Sequence, residues 1–167
     1  MIALVFLAEV LLEPTRLYTT ACLDLTAQLR DGVHAFTHVT GGGLAANLAR
    51  VLPRGLTATV DRSTWTPAPV FGLVAELGNV PQADLERTLN MGVGMIAIVD
   101  AGSADAAVAR LGAAGLPAWV AGEVAADQPD ADTHAASSAA GAEPSGDVVS
   151  GTKGVDGGSV RMVGSHA

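Results

Sequence analysis

The sequence predicts a mixed α/β domain of the α+β type, with a mixed sheet layered against helices. Three observations carry this prediction: apolar runs of period two alternate with runs of period 3.6, glycines and prolines punctuate the changes, and residues after Val124 abandon both periods. At 167 residues the chain holds one ordinary domain and a tail. With 49% hydrophobic and only 4% aromatic residues, its core is expected to be built from Val, Leu, Ile and Ala.

Met1 to Leu12 is apolar except at Glu9 and stands apart as residues 1–10 of atypical character. It lacks a basic leading segment and is far shorter than the ~20 residues that span a bilayer. The domain proper is read over residues 11–124. Pro14-Thr15 opens a helix to about Arg30, whose Leu17, Ala21, Leu25 and Leu29 form an i, i+4 stripe facing the core, and Asp31-Gly32 closes it. The lone cysteine, Cys22, falls in this run as a buried structural thiol, which fits a reducing cytoplasm and excludes an internal disulfide.

Strands follow at His34–Val39, Leu56–Val60, Val93–Val99 and Ala118–Val124, and helices at Leu44–Leu52, Pro69–Leu77, Gln82–Thr88 and Ser103–Ala114. The apolar and β-branched content of Val93 to Val99 predicts a central strand buried on both faces. Turn chemistry agrees: Asp61 stands at a strand end, Pro53 stops one helix, Gly78-Asn79 ends another, and Ser103 can N-cap the next. Residues 125–158, rich in Ala, Gly, Ser and Asp, bury too little apolar surface to offset their ordering entropy and are expected to be disordered. Within residues 159–167, the alternation Ser159 to Val163 can return as an edge strand.

A net charge of −8 argues against nucleic acid and anionic membranes as partners, because neutralising phosphates needs a basic surface. The only lysine is Lys153, so residues 1–124 contain neither a Schiff-base lysine nor a P-loop lysine. No Ser-His-Asp triad, glycosidase carboxylate pair or dinucleotide fingerprint can be placed.

The most informative stretch is Thr40-Gly41-Gly42-Gly43, where a strand gives way to a helix. Glycines there leave backbone N–H groups open at a helix start, which favours an anion, typically phosphate; a tight turn is the alternative. His38 sits two residues before the loop, where an imidazole can contact an anion or move a proton, or serve as a hydrogen-bonded core residue. His34 and His38 share a strand face, but no further ligand completes a metal set. Asn47 and Arg50 share a helix face after the loop, and an arginine there can clamp phosphate. In Asn90-Met91-Gly92-Val93-Gly94 the glycines permit close approach by a ligand or a neighbouring element.

Taken together, several stretches resemble the C-terminal half of phosphoribosylformylglycinamidine cyclo-ligases, also called aminoimidazole ribonucleotide synthetases. They are Leu11 to Tyr18, His38 to Leu44, Asn47, Arg50 to Pro53, Trp65 with Val70-Phe71, Gly78 to Val80, and Arg87 to Met95, in that order and spacing. The resemblance implies an ATP-dependent ligase of purine biosynthesis that closes formylglycinamidine ribonucleotide to aminoimidazole ribonucleotide. ATP activates the formyl oxygen, an amidine nitrogen attacks, and ADP and phosphate leave. It further implies that ATP and Mg bind mainly through an N-terminal half absent from this chain. The ligand is then a phosphoribosylated small molecule, the full-length enzyme is homodimeric and cytoplasmic, and this fragment is inactive alone and self-associates through uncovered apolar surface. Carried onto this sequence, His38 becomes the catalytic residue, Thr40, Gly41, Gly42 and Gly43 face the phosphate, Asn90 and Gly92 line the cleft, and Asn47 and Arg50 support it. The alternatives are a non-catalytic module binding a phosphorylated metabolite or a partner, or another member of the same ATP-dependent superfamily.

Overall fold

The structure is a computed structural model that describes residues 9–127, 147–150 and 157–166. Two sheets hold the fold together. In the smaller, β1 (Val33–His38) pairs antiparallel with β3 (Met95–Val99), with an irregular register between Val33 and Ala35. In the larger, β2 (Leu56–Asp61) lies between β4 (Gly122–Ala126), antiparallel, and β6 (Ser159–Val163), parallel, while β5 (Asp147–Ser150) closes the order β4-β2-β6-β5.

The α-helices that lie wholly within the described residues are α1 (Thr19–Leu29), α2 (Gly43–Ala49), α3 (Pro69–Gly78), α4 (Gln82–Thr88) and α5 (Ala104–Ala113). Helix α2 packs on β1, β5 and β6, and so joins the two sheets. Its Leu44, Leu48 and Ala49 meet Val39, Leu52, Val60, Val93, Val160 and Met162 in one core whose single aromatic residue, among the described residues, is Trp65. Burying such Leu and Val side chains stabilises by about 1.5–3 kcal/mol each. Helices α1 and α5 pack together, and α1 also meets β1.

The expected α+β architecture is therefore present, with five instructive differences. Residues 14–18 are not helical, and Leu17 is 91% exposed, so the core stripe of α1 reduces to fully buried Leu25 with half-buried Ala21 and Leu29. Cys22 is half-buried rather than buried. Strand β3 is not central: it pairs only with β1 among the described residues, and all five of its side chains are half-buried. Helix α2 ends at Ala49, three residues before the expected end, because Val51 N–H turns back to the Leu48 carbonyl at 3.1 Å and Pro53 disfavours helical backbone before it. Ser103 precedes α5 without a side-chain cap hydrogen bond.

The C-terminal part differs most. Strand β6 is not an edge strand; it lies between β2 and β5, and Val160 is fully buried. Expected disorder at 125–158 gives way to strand structure at Gly122–Ala126 and Asp147–Ser150, because pairing with β2 and β6 supplies contacts that local composition does not encode. The rest of that expectation, at 128–146 and 151–156, lies outside the described residues, as does Met1 to Ala8.

Candidate functional site

The glycine loop leaves the end of β1 and enters α2 through two left-handed glycines, Gly42 (φ 98°) and Gly43 (φ 74°). At Gly43 a side chain is doubly excluded, since an added Cβ would lie 1.9 Å from the Glu86 carbonyl oxygen of α4. At Gly41 an added Cβ would meet open space, and Thr40, Gly41 and Gly42 are exposed. One glycine is thus fixed by packing, while its neighbours form a surface that a ligand can approach.

Asn47 makes the loop rigid. It is 4% exposed, and its Nδ2 donates to the carbonyls of Gly43 at 2.7 Å and of Thr40 and Gly41 at 3.3 Å. Arg50 donates from one guanidinium nitrogen to Asn47 Oδ1 and from Nε to the Ala46 carbonyl at 3.1 Å. Buried Thr37 donates to the Asn47 carbonyl at 2.9 Å, which ties β1 to α2. Asn47 is therefore a strut for the loop carbonyls, and Arg50 is an exposed cation braced against that strut.

His38 is exposed at the end of β1, with its ring edge-on to Tyr18 at 5.9 Å between centroids. His34 instead contacts Asp100 at 2.8 Å, so the two histidines serve separate pairs. Asn90 and Gly92 form a tight turn in which Asn90 Oδ1 accepts from the Gly92 N–H at 3.0 Å; Met91 and Gly92 both have positive φ. The Val39 N–H donates to the Gly94 carbonyl at 2.9 Å, which brings this turn beside the glycine loop. At Gly94 the close approach is by a neighbouring element, because an added Cβ would lie 2.0 Å from the Tyr18 hydroxyl.

Sequence reasoning missed what lies behind the loop. A cavity of about 110 Å³ borders Gly42 and is lined by Trp65, Met91, Arg62, Glu86 and His166. Trp65 Nε1 donates to the Met91 carbonyl at 3.0 Å and so fixes the turn. Burial alone would raise the Glu86 pKa, but hydrogen bonds from Arg62 and Gln82, with the charges of Arg62 and His166, hold it below the ordinary value. Arg62, Glu86 and His166 are too far apart in the chain for spacing to join them. Among the described residues no group of three or more His, Cys, Asp and Glu is placed to hold a metal ion.

Comparison with known proteins supplies a family. Residues 4–133 match the sequence profile described as AIR synthase related protein, C-terminal domain. A Streptomyces fradiae protein provisionally named phosphoribosylformylglycinamidine cyclo-ligase is 60% identical over 129 residues, covering 77% of this chain and 69% of that protein. Proteins named phosphoribosylformylglycinamidine cyclo-ligase from Symbiobacterium thermophilum and Sorangium cellulosum are 46% and 45% identical over 72% and 70% of this chain. The chain spans only 34% and 33% of the length of those two relatives. No helix among the described residues is long and apolar enough to cross a membrane.

Proposed function

The chain belongs to the family of AIR synthase related proteins, as their C-terminal domain, and from that premise we propose that it supplies the substrate side of a cyclo-ligase cleft. The ligand it meets is the phosphate of a phosphoribosylated small molecule, formylglycinamidine ribonucleotide in the full reaction. The observation that carries this reading is the exposed Thr40-Gly41-Gly42 backbone, held by a buried Asn47 whose amide occupies the loop carbonyls. With its carbonyls engaged, the loop is pre-organised to offer donors to an anion at little ordering cost. Arg50, just after α2, adds positive charge, and His38 at the strand end is exposed, so it can contact the anion or pass a proton.

ATP and magnesium bind, on this reading, to the portion of the longer relatives that precedes the matched domain; when bound they supply phosphoryl activation of the substrate. Helix α3 is the surface that meets that portion. Its Val70, Phe71, Leu73, Val74 and Leu77 include no buried residue, and Val74 and Leu77 are 41% and 78% exposed. An apolar helix left in water is a surface awaiting a partner. Leu11 and Leu12 are also exposed, and such uncovered apolar surface is what the isolated chain self-associates through.

Titration of the isotope-labelled chain with formylglycinamidine ribonucleotide tests the reading. Amide resonances of Thr40 to Gly43 shift saturably and compete with inorganic phosphate if the loop takes the phosphate. Shifts confined to other segments, or none at millimolar ligand, would reject it.

A further inference from the structure

Behind the glycine loop, Glu86 is held from three sides. Arg62 donates to its carboxylate through Nε at 3.2 and 3.0 Å and through Nη2 at 2.8 Å, and Gln82 donates at 2.9 Å. His166, from the segment that follows β6, stands edge-on to Trp65 at 4.8 Å between centroids. Its Nδ1 lies 3.2 Å from the Arg62 carbonyl oxygen, and its Nε2 lies 3.4 Å from Glu86 Oε1.

The chemistry of those two contacts fixes the tautomer. A carbonyl oxygen only accepts, so Nδ1 carries the proton and donates. In the neutral ring Nε2 is then a bare lone pair facing a carboxylate oxygen, buried and without a hydrogen-bond partner among the described residues. Only the imidazolium turns that contact into an attraction. The backbone of the same Glu86 is what Gly43 abuts, 1.9 Å from where a Cβ would stand. One residue thus faces the histidine with its side chain and the glycine loop with its carbonyl.

We propose that Glu86 is a positioning residue that transmits the charge state of His166 to the glycine loop. Protonated His166 draws the Glu86 carboxylate toward the tail and seats α4 against Gly43; neutral His166 releases that restraint. Among the described residues, Glu86 on α4 and Arg62 on the turn after β2 contact His166, Arg87 of α4 lines the same cavity, and Asp61 faces the tail at Gly164. That ligand affinity follows the same protonation step rests on the reading of the loop as a phosphate contact, and the test below uses no ligand, so the two can fail separately.

Two-dimensional amide and imidazole NMR spectra of the full chain, recorded between about pH 5 and 8, provide the test. The Gly42 and Gly43 amide resonances are expected to titrate with the midpoint of the His166 ring. His166→Gln abolishes their titration, Glu86→Gln uncouples the loop from the ring, and His38→Gln leaves the Gly43 midpoint unchanged. Glycine resonances that do not move in the wild-type chain, that follow the His38 midpoint, or that titrate unaltered in His166→Gln would overturn the proposal.

Discussion

At the residue scale, Asn47 and Gly43 decide whether the loop exists. Removing the Asn47 amide leaves the carbonyls of Thr40, Gly41 and Gly43 without their donor. Asn47→Ala should lower stability by about 1–3 kcal/mol, read from the urea midpoint. Gly43→Ala combines a left-handed backbone with a clash against the Glu86 carbonyl and should cost about 2–5 kcal/mol in the same measurement. Gly41→Ala, facing open space at ordinary φ, serves as the mild control. Burial pushes the Cys22 thiol pKa up, so alkylation near neutral pH should run slower than that of free cysteine and accelerate as pH rises. These roles were only partly legible beforehand. The triple glycine announced a turn, but no spacing rule distinguishes an asparagine that binds a ligand from one that ties down its own loop.

At the element scale, the legible parts were those specified locally. Strands β1 and β2 and helices α3 and α4 follow their apolar period, and their ends follow Asn79 and Asp61, which take up the cap and turn positions expected of them. Strand β6 was readable as a strand but not as an interior one, because its parallel pairing with β2 joins residues about a hundred positions apart. Strand β3 misled in the opposite sense. Its continuous apolar run imitates a doubly buried strand, yet its side chains remain half-buried, as does much of α3. Both observations leave apolar surface that the proposed function assigns to contact with the preceding portion of the longer relatives. Leu77→Asp, at a 78% exposed position, should therefore change the stability of the isolated chain by no more than about 0.5 kcal/mol. The same substitution should weaken association with the preceding portion of a longer relative by tenfold or more, measured by titration calorimetry.

At the scale of the whole molecule, α2 joins the two sheets, and the ion pair between Arg62 and Glu86 ties the turn after β2 to α4. Because the folded-state pKa of Glu86 is lowered, its contribution to stability is fully present above the ordinary glutamate value of about 4.5 and is lost as pH falls through the lower folded value. The urea midpoint should fall on acidification below that value, and less steeply in Glu86→Gln. The decisive claim is that this domain holds half of a reaction site. It is tested by substrate-dependent ADP release with formylglycinamidine ribonucleotide and magnesium ATP, from the chain alone and after mixing with the separately expressed preceding portion of a relative. Turnover is expected only in the mixture; turnover by the chain alone, or a silent mixture in which the two parts demonstrably associate, would contradict a shared site.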